Sequence, residues 1–530
     1  MRFTMLLAAV LCGPQPISGA PLALPAQSPK AEATDRGISV TLGPSRSIVK
    51  DWRPAVAPGS PITASARVVE DGFDVVFEAT NRGNFALPVT ELPLPSFILG
   101  DTVAAYDFSG SGWPVLLSRE SPPLQGSYPN ELYSPVSVVR TADLAVGVSV
   151  TYPILEYRHD VSLAVVPRDA GTWAVEIRVG GTMPKGHEWW NHAAVVPPSE
   201  SRRWTVHVRF SAPGERWADT LSPYRDWFRR TYGTQTYRRD GRPVRGIALA
   251  SPASQSPANP DGWTPEVGRL DLTGYEGVAR MVEQALRNSQ RVLLWAPTGL
   301  ASRHRDLNYP HQFASRWDDS ERSTPRLREA PKLLAGITAP PGRTWGLWWG
   351  RSAQRTPCFD CTPEVSIDPS NPADLSAALA ELHSARRAGA TLIGLDAFAH
   401  SHNPIWRLVP LLNKLQESQP DASFCTEGRA CDLLHRLAPT WLDAYQSKPF
   451  RDGSRQRIRG RHLLAELLLP GSETWAGMVF DRAGDPELLG PRSVKARQIE
   501  EISRVVELGY TPVVFLDVEL DQFTARGVDK

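Results

Sequence analysis

Residues Ala390–Phe398 read ATLIGLDAF, an apolar run that ends at the carboxylate of Asp396. A short apolar run bounded by glycine and polar residues is typical of a buried strand in a parallel sheet. The preceding segment, PADLSAALAELHSARRAG, has the composition and spacing of an amphipathic helix. Helix followed by buried strand is the repeating unit of α/β proteins.

The same alternation of strands and helices extends from Arg245 to the end of the chain. Seven further runs resemble strands: RGIALAS from Arg245, RVLLWAP from Arg291, TWGLWWG from Thr344, ASFCTE from Ala422, PTWLDAY from Pro439, HLLAELLLP from His462 and TPVVFLD from Thr511. Eight strands with crossover helices predict a (β/α)8 TIM-like barrel over residues 241–530, with an open α/β sheet as the alternative. In this order ATLIGLDAF is the fourth strand.

The region before the barrel has a different pattern. From residue 38 to 214, short runs such as FDVVFEATN, WAVEIRV and RRWTVHVRF alternate apolar and polar residues with period two. Glycine, proline and Asn or Asp separate them, which predicts an antiparallel β-sandwich. Residues 215–240 are predicted to be a linker helix, because Trp217, Leu221, Tyr224 and Phe228 recur at helical spacing.

The N-terminus has the features of an export signal. Arg2 is followed by the apolar run MLLAAVLC, which is shorter than the roughly 20 residues of a membrane-spanning helix. Residues 1–26 are therefore predicted to be a signal peptide, and the protein to be periplasmic or secreted. Leu11 is unfavourable before a lipidated cysteine, so lipid anchoring at Cys12 is not expected.

Cysteine count and charge limit the function classes. Of the 5 cysteines, four lie beyond the signal, namely Cys358, Cys361, Cys425 and Cys431. In an exported chain this favours two disulfides of undetermined pairing over a zinc site. The 58 Lys and Arg residues balance 57 Asp and Glu residues, so charge gives no reason to expect a nucleic-acid partner.

Carboxylates follow several of the predicted strands. Asp396 ends the fourth strand, and further acids lie at Glu427, Asp443, Glu466 and Asp517. The carboxyl ends of barrel strands form the active-site mouth. Glycosidic cleavage needs two carboxylates there, one to attack or stabilise the anomeric carbon and one to protonate the leaving oxygen. The alternative for each acid is a structural role in a loop cap or ion pair.

Other side chains near the same strand ends are candidates for sugar binding. Indole rings offer flat apolar faces to the C–H faces of sugars, and the chain contains 17 tryptophans. We expect the substrate-binding set to include Glu466 and Asp517 together with Trp295, Trp348, Trp349, Arg351, His400 and His402. No metal or other cofactor is predicted.

The order of these segments resembles the alpha-galactosidase-like clan of glycoside hydrolases. The resemblance implies that Asp396 is the nucleophile and that Asp443, on the sixth strand, is the acid/base. It also implies that Cys425–Glu427 binds sugar hydroxyls, and TWGLWWG is similar to the Gly-Leu-Trp segment of bacterial members. A sandwich before the barrel is the bacterial arrangement.

Two features of that clan are missing from the sequence. The second strand, RVLLWAPTG, carries no acidic pair, and no lysine precedes Asp396 in its strand. The sequence therefore predicts a divergent glycosidase acting on a carbohydrate outside the cytoplasm. If Asp443 is misplaced, Glu427 or Glu466 is the proton donor. The alternative is a non-catalytic carbohydrate-binding or structural relative that retains the barrel, and the sugar and the oligomeric state stay open.

Overall fold

The computed structural model describes most of the chain. The described residues are 29–44, 46–56, 62–106, 114–169, 171–180, 194–212, 215–248, 291–295, 330–350, 352–355, 365–399, 403–427, 431–446, 463–479, 503 and 505–516. The predicted signal peptide, Cys358 and Cys361 lie outside them.

The first part of the chain forms antiparallel sheets. Its strands are β1 (Pro29–Thr34), β2 (Gly37–Leu42), β3 (Arg46–Trp52), β4 (Ile62–Val69), β5 (Gly72–Thr80), β6 (Leu87–Val89), β7 (Ser96–Ile98), β8 (Thr102–Tyr106), β9 (Pro114–Ser118), β10 (Leu124–Tyr128), β11 (Val136–Arg140), β12 (Ala145–Thr151), β13 (Val161–Pro167), β14 (Thr172–Val179), β15 (Ala194–Val196) and β16 (Ser201–Ser211). The main sheets have the orders β4-β5-β16-β12-β11-β8-β9 and β10-β13-β14-β7. The antiparallel region thus begins before residue 38.

Period-two alternation explains how the two main sheets pack. In β16, Trp204, Val206 and Val208 are fully buried, while the residues between them are polar. The ring of Phe97 in β7 lies 6.3 Å from that of Phe210 in β16, so the two sheets share one core. Successive side chains of a strand point to opposite faces; the other face of β16 is therefore polar.

The predicted linker helix is divided into two parts. A 3₁₀ helix at Glu215–Leu221 is followed by an α-helix at Ser222–Tyr232. Thr220 packs on β12 at Gly147, where an added Cβ would lie 2.1 Å from the Thr220 Oγ1. The α-helix also reaches the second domain, because Arg229 donates to the backbone oxygens of Leu467 and Leu468.

The second part of the chain contains a curled parallel sheet. Its strands are β17 (Val244–Ala248), β18 (Arg291–Trp295), β19 (Thr344–Trp349), β22 (Leu392–Leu395), β23 (Ser423–Glu427), β24 (Thr440–Gln446), β25 (Thr474–Val479) and β26 (Thr511–Leu516), and a small hairpin is formed by β20 (Gln354–Arg355) and β21 (Val365–Ser366). Each strand of the sheet pairs with the next, and β26 pairs with β17. The prediction of an antiparallel β region followed by an α/β region is confirmed.

Helices lie between several of these strands. In the described residues of this part they are Ala330–Thr338, Pro372–Arg387, Ile405–Ser418, Asp432–His435 and Leu463–Leu468, and the first part adds Ile154–Tyr157. The side chain of Asn371 accepts from the Ala373 amide and caps the helix Pro372–Arg387. None of the described helices is long and apolar enough to cross a bilayer.

The seventh predicted strand is wrong. Residues Leu463–Leu468 form a helix, and the seventh strand is Thr474–Val479, beyond Pro470 and Gly471. Leu464, Ala465 and Leu468 are buried at helical spacing. A short apolar run has no clear period, so a buried helix and a buried strand look alike in sequence.

Candidate active site

Asp396 lies directly after β22 and is completely buried. The Trp348 indole Nε1 donates a hydrogen bond of 2.9 Å to its Oδ1. The backbone at Asp396 is held as well: its amide donates to the Trp349 oxygen, and its carbonyl accepts from the amide and hydroxyl of Ser352. The carboxylate predicted to be the nucleophile is thus held by both backbone and side-chain contacts.

Gly394 makes the Trp348 contact possible. A Cβ at this position would lie 2.1 Å from the Trp348 Cε3, well inside van der Waals contact. The six-membered part of the indole therefore lies directly against the backbone of β22 at Gly394, two residues before Asp396. Glycine is used where another group must approach the backbone closely.

Glu427, at the end of β23, holds the turn after Asp396. Its Oε2 accepts a 2.7 Å hydrogen bond from the Ala397 amide, and its carbonyl accepts from the Ala399 amide. Ala397 has a φ of 49°, a left-handed conformation that is unfavourable for a residue with a Cβ. The structure therefore brings Glu427 next to Asp396, and Glu427 stabilises a strained turn there.

The interior of the curled sheet is filled by aromatic and aliphatic side chains. Trp348, Trp441, Trp475 and Cys425 share one buried cluster with Val244, Leu293, Leu392 and Val513. The Trp348 and Trp441 rings meet edge to face, with centroids 4.4 Å apart. Packed layers of this kind are the normal interior of a TIM barrel. Here Trp348 belongs to this packed interior and also donates to Asp396, so the cluster holds the indole that contacts the carboxylate.

Trp349 faces the other way. It is fully buried and belongs to the large core that also contains Leu411 and Leu412 of the helix Ile405–Ser418. Neighbouring residues of a strand alternate between faces, so Trp348 lies inside the sheet and Trp349 lies against the helices. Trp349 therefore contacts Asp396 through its backbone oxygen, while its indole ring lies in the core against the helices.

Glu466 is also placed elsewhere. It lies on the helix before β25, and its charge adds to burial in raising the pKa of Tyr510, which directly precedes β26. Glu466 is therefore located toward the end of the barrel where strands begin. The sequence predicts a strand at this position, but Glu466 lies on a helix.

For two of the remaining candidates the structure describes only the backbone, and the other four lie outside the described residues. Asp443 lies within β24 and Trp295 is the last residue of β18. Arg351, His400, His402 and Asp517 lie outside the described residues. Among the described residues, no group of three or more His, Cys, Asp or Glu side chains is arranged to hold a metal ion.

The disulfide prediction is wrong for two of the four cysteines. Cys425 and Cys431 are free thiols, and both are buried. Burial raises the pKa of each thiol well above its ordinary value, so both are neutral and unreactive. Cys425 belongs to the apolar interior cluster, and the predicted role for Cys425 in binding sugar hydroxyls gains no support from this position.

A buried carboxylate that the sequence did not single out joins the two domains. Asp432 accepts hydrogen bonds from the hydroxyls of Tyr128 (2.7 Å), Ser134 (2.8 Å) and Tyr224 (2.6 Å). Burial raises its pKa to about 6, although these hydroxyls lower it in part. Its partners lie up to 304 residues away in the chain, so no local pattern indicates this cluster.

A second buried cluster lies where the barrel strands begin. Glu473 Oε1 accepts from Arg291 (2.8 Å), the Trp475 indole (2.8 Å) and Thr511 (2.9 Å). Burial is the largest single influence and raises the pKa of Glu473, but the charge and hydrogen bond of Arg291, with the hydrogen bonds from the Asp240 amide and Thr511, together hold this pKa below its ordinary value. Polar residues at this end of a barrel serve stability, since the mouth is at the other end.

His435 connects the two clusters. Burial lowers its pKa to about 4, so the ring is neutral near pH 7. Its Nε2 lies 3.0 Å from the Glu473 carbonyl, which only accepts, so Nε2 carries the proton. Its Nδ1 therefore accepts from the Tyr133 hydroxyl at 2.8 Å. The backbone oxygen of Tyr133 accepts from the Asp432 amide, which links His435 to the Asp432 cluster.

Comparison with known proteins identifies a fold. No protein-family model matches the sequence, and no curated protein sequence matches it. The ligand-free alpha-N-acetylgalactosaminidase of Bifidobacterium bifidum is similar in structure, with a TM-score of 0.51, 11% identity, 92% of this chain covered and 89% of that one. The chain thus has a glycoside hydrolase fold, and the identity is too low to show more than the fold.

Two further solved structures resemble the chain more weakly. The alpha-galactosidase of Thermus thermophilus in complex with stachyose has a TM-score of 0.44 at 9% identity, covering 94% of this chain and 99% of that one. The GH31 dextranase of Flavobacterium johnsoniae, complexed with glucose, has a TM-score of 0.45 at 8% identity, covering 92% of this chain and 57% of that one.

Proposed function

We propose that the chain is a glycosidase of the alpha-galactosidase-like type, built as a β-sandwich and a (β/α)8 barrel and acting on a carbohydrate outside the cytoplasm. The observation that carries this proposal is the arrangement at Asp396. A buried carboxylate ends the fourth strand of a parallel sheet, an indole N–H is bonded to its Oδ1, and a second acid, Glu427, is held beside it.

In the proposed reaction Asp396 attacks the anomeric carbon. The Trp348 hydrogen bond fixes the rotation of the carboxylate, which lowers the cost of reaching the attacking geometry. Asp443 gives its proton to the leaving oxygen and then takes one from the water that releases the sugar. Glu427 holds the turn after Asp396 and offers its carboxylate to sugar hydroxyls.

The test is a panel of nitrophenyl α- and β-glycosides of galactose, N-acetylgalactosamine and glucose. We expect the wild-type chain to cleave at least one of them, and Asp396→Asn to lower kcat/KM by about 10³-fold or more. Asp421→Asn is the matched control, because Asp421 is exposed on the turn before β23. Unchanged turnover in Asp396→Asn would eliminate the proposed nucleophile.

Leaving-group dependence separates the two carboxylates. We expect Asp443→Asn to lose about 10²–10⁴-fold on unactivated glycosides. The loss should be much smaller on dinitrophenyl glycosides, whose leaving groups need no proton. Equal loss on both substrates would contradict the acid/base role of Asp443. A wild-type chain that binds sugars but cleaves none would favour the non-catalytic alternative.

The location is tested separately. The full-length chain is produced in a Gram-negative host with both membranes, and the periplasm is released by osmotic shock. We expect the protein there, shortened at its N-terminus. Retention of full-length protein in the cytosol would contradict export.

A further inference from the structure

A groove of about 650 Å³ lies on the outer face of the seven-stranded sheet, between this sheet and the helix Ser222–Tyr232. It is lined from below by β12 and β16 and from the side by this helix, and none of the described barrel residues lines it. Its volume is within the roughly 300–1,000 Å³ range of small-molecule sites.

The floor of the groove is fixed by hydrogen bonds. Asp74 lies beneath it and accepts from Arg209 at 2.7 Å, while its Oδ1 lies 2.8 Å from the His207 Nδ1. The other ring nitrogen of His207 lies 3.2 Å from the Thr151 hydroxyl. Arg209 is also paired with Asp71, and Arg67 is paired with Asp74 at 3.1 Å, so two guanidinium groups balance two carboxylates and the floor is close to neutral.

The rim carries two cations that are not compensated in this way. Arg203 and Arg230 both line the groove, and both are exposed. Within the described part of the chain neither of them forms an ion pair, whereas the rim carboxylate Asp226 is paired with Arg225. The groove therefore presents a positive rim above a neutral floor, which favours an anionic ligand.

Aromatic side chains complete the groove. Trp227 lines it, half-buried, with its ring held between Tyr224 at 5.7 Å and Tyr232 at 5.6 Å, the latter edge to face. Tyr157 lines it as well, and the Tyr157 hydroxyl accepts from the Arg203 amide. A held indole beside two exposed guanidinium groups matches the two parts of an acidic sugar, an apolar ring face and a carboxylate.

We propose that this groove is a second carbohydrate site that binds uronic-acid residues of an acidic saccharide. The sugar ring stacks on Trp227, and its carboxylate pairs with Arg203 and Arg230. The site is independent of catalysis in the barrel and would hold an acidic polymer on the sandwich domain.

The experiment measures binding of trigalacturonate to the full chain by calorimetry, with its methyl ester as the uncharged probe. We expect trigalacturonate to bind and the ester to bind at least about tenfold more weakly, since the arginine pairing is lost. The affinity for the acid should fall as NaCl rises from roughly 20 to 300 mM, because exposed charge pairs are screened. Equal binding of both probes, or no binding of the acid, would overturn the proposal.

Variants assign the binding to this groove. Arg203→Gln/Arg230→Gln should weaken trigalacturonate about tenfold or more, and Arg82→Gln/Arg119→Gln, which alters exposed arginines elsewhere, should leave it unchanged. Trp227→Ala should weaken both probes, with Trp227→Tyr restoring most of the affinity. Loss of affinity in the control pair, or sulfate binding as tightly as trigalacturonate, would show a non-specific charge effect and refute the site.

Discussion

Replacing Asp432 by alanine tests the contact between the two domains. Three hydroxyls donate to this carboxylate at 2.6 to 2.8 Å, from two tyrosines and one serine that are all buried. Each hydroxyl left without a partner costs about 1–3 kcal/mol, so the full loss is roughly 3–9 kcal/mol when the wild-type carboxyl is protonated.

The pH dependence of this loss is a sharper signature. The folded pKa of Asp432 is raised from 3.8 to about 6 by burial. Between these values the folded protein keeps a proton that the unfolded chain releases, so wild-type stability falls as pH rises through this window. The alanine variant lacks this effect. Its deficit relative to wild type should therefore shrink by about 2–3 kcal/mol between pH 4 and pH 7.

The assay is urea denaturation at pH 4 and pH 7, followed by tryptophan fluorescence and circular dichroism. Asp421→Ala, an exposed aspartate, is the control and should change stability by less than about 0.5 kcal/mol. An Asp432→Ala chain as stable as wild type at both pH values would refute the reasoning, since the three hydroxyls would then have found other partners. A deficit that grows with pH would refute the pKa assignment.

Three further outcomes follow from other contacts. Gly394→Ala would place a Cβ 2.1 Å from the Trp348 ring, so we expect a loss of about 1–3 kcal/mol in stability. In a glycoside assay the fall in kcat should be larger than any rise in KM. Unchanged thermal stability would contradict this expectation. Burial raises the pKa of Asp160 to about 7. The stability of Asp160→Asn relative to wild type should therefore rise by roughly 3–4 kcal/mol as pH rises from 4 to 8, and urea titrations that show a constant difference would argue against it. Glu473→Gln leaves the Arg291 charge buried without its main partner and should cost about 3–5 kcal/mol, whereas adding Arg291→Met should restore part of the loss in the same measurement; additive losses would show that the pair is not coupled.

Much of the fold was predictable because its signals are local. The period-two runs of β5, β14 and β16 and the apolar run before Asp396 were assigned correctly from neighbouring residues alone. The exception, Leu463–Leu468, shows the limit of this approach. Leucine and alanine favour helix, and in so short an apolar run the period does not distinguish a buried helix from a buried strand.

The candidate site was predictable only in part. The position of Asp396 at a strand end follows from the sequence, because strand order and strand direction place it there. Its bond to Trp348, 48 residues away, and the bond from Ala397 to Glu427, 30 residues away, do not follow from the sequence. Both depend on which faces of neighbouring strands meet, and on Gly394 allowing the indole to approach.

By itself, then, the sequence determined most of the strands and helices, and where one carboxylate lies along them, but it did not distinguish the helix Leu463–Leu468 from a strand. The tertiary structure alone decided that Cys425 and Cys431 are buried thiols, that Trp349 faces the helices, and that Asp432 joins the domains. The physical reason is the sequence separation over which each kind of interaction acts. Backbone periodicity acts over a few residues, whereas hydrogen bonds to a buried group are formed by whichever side chains the packing brings within about 3 Å, however far apart they are in the chain.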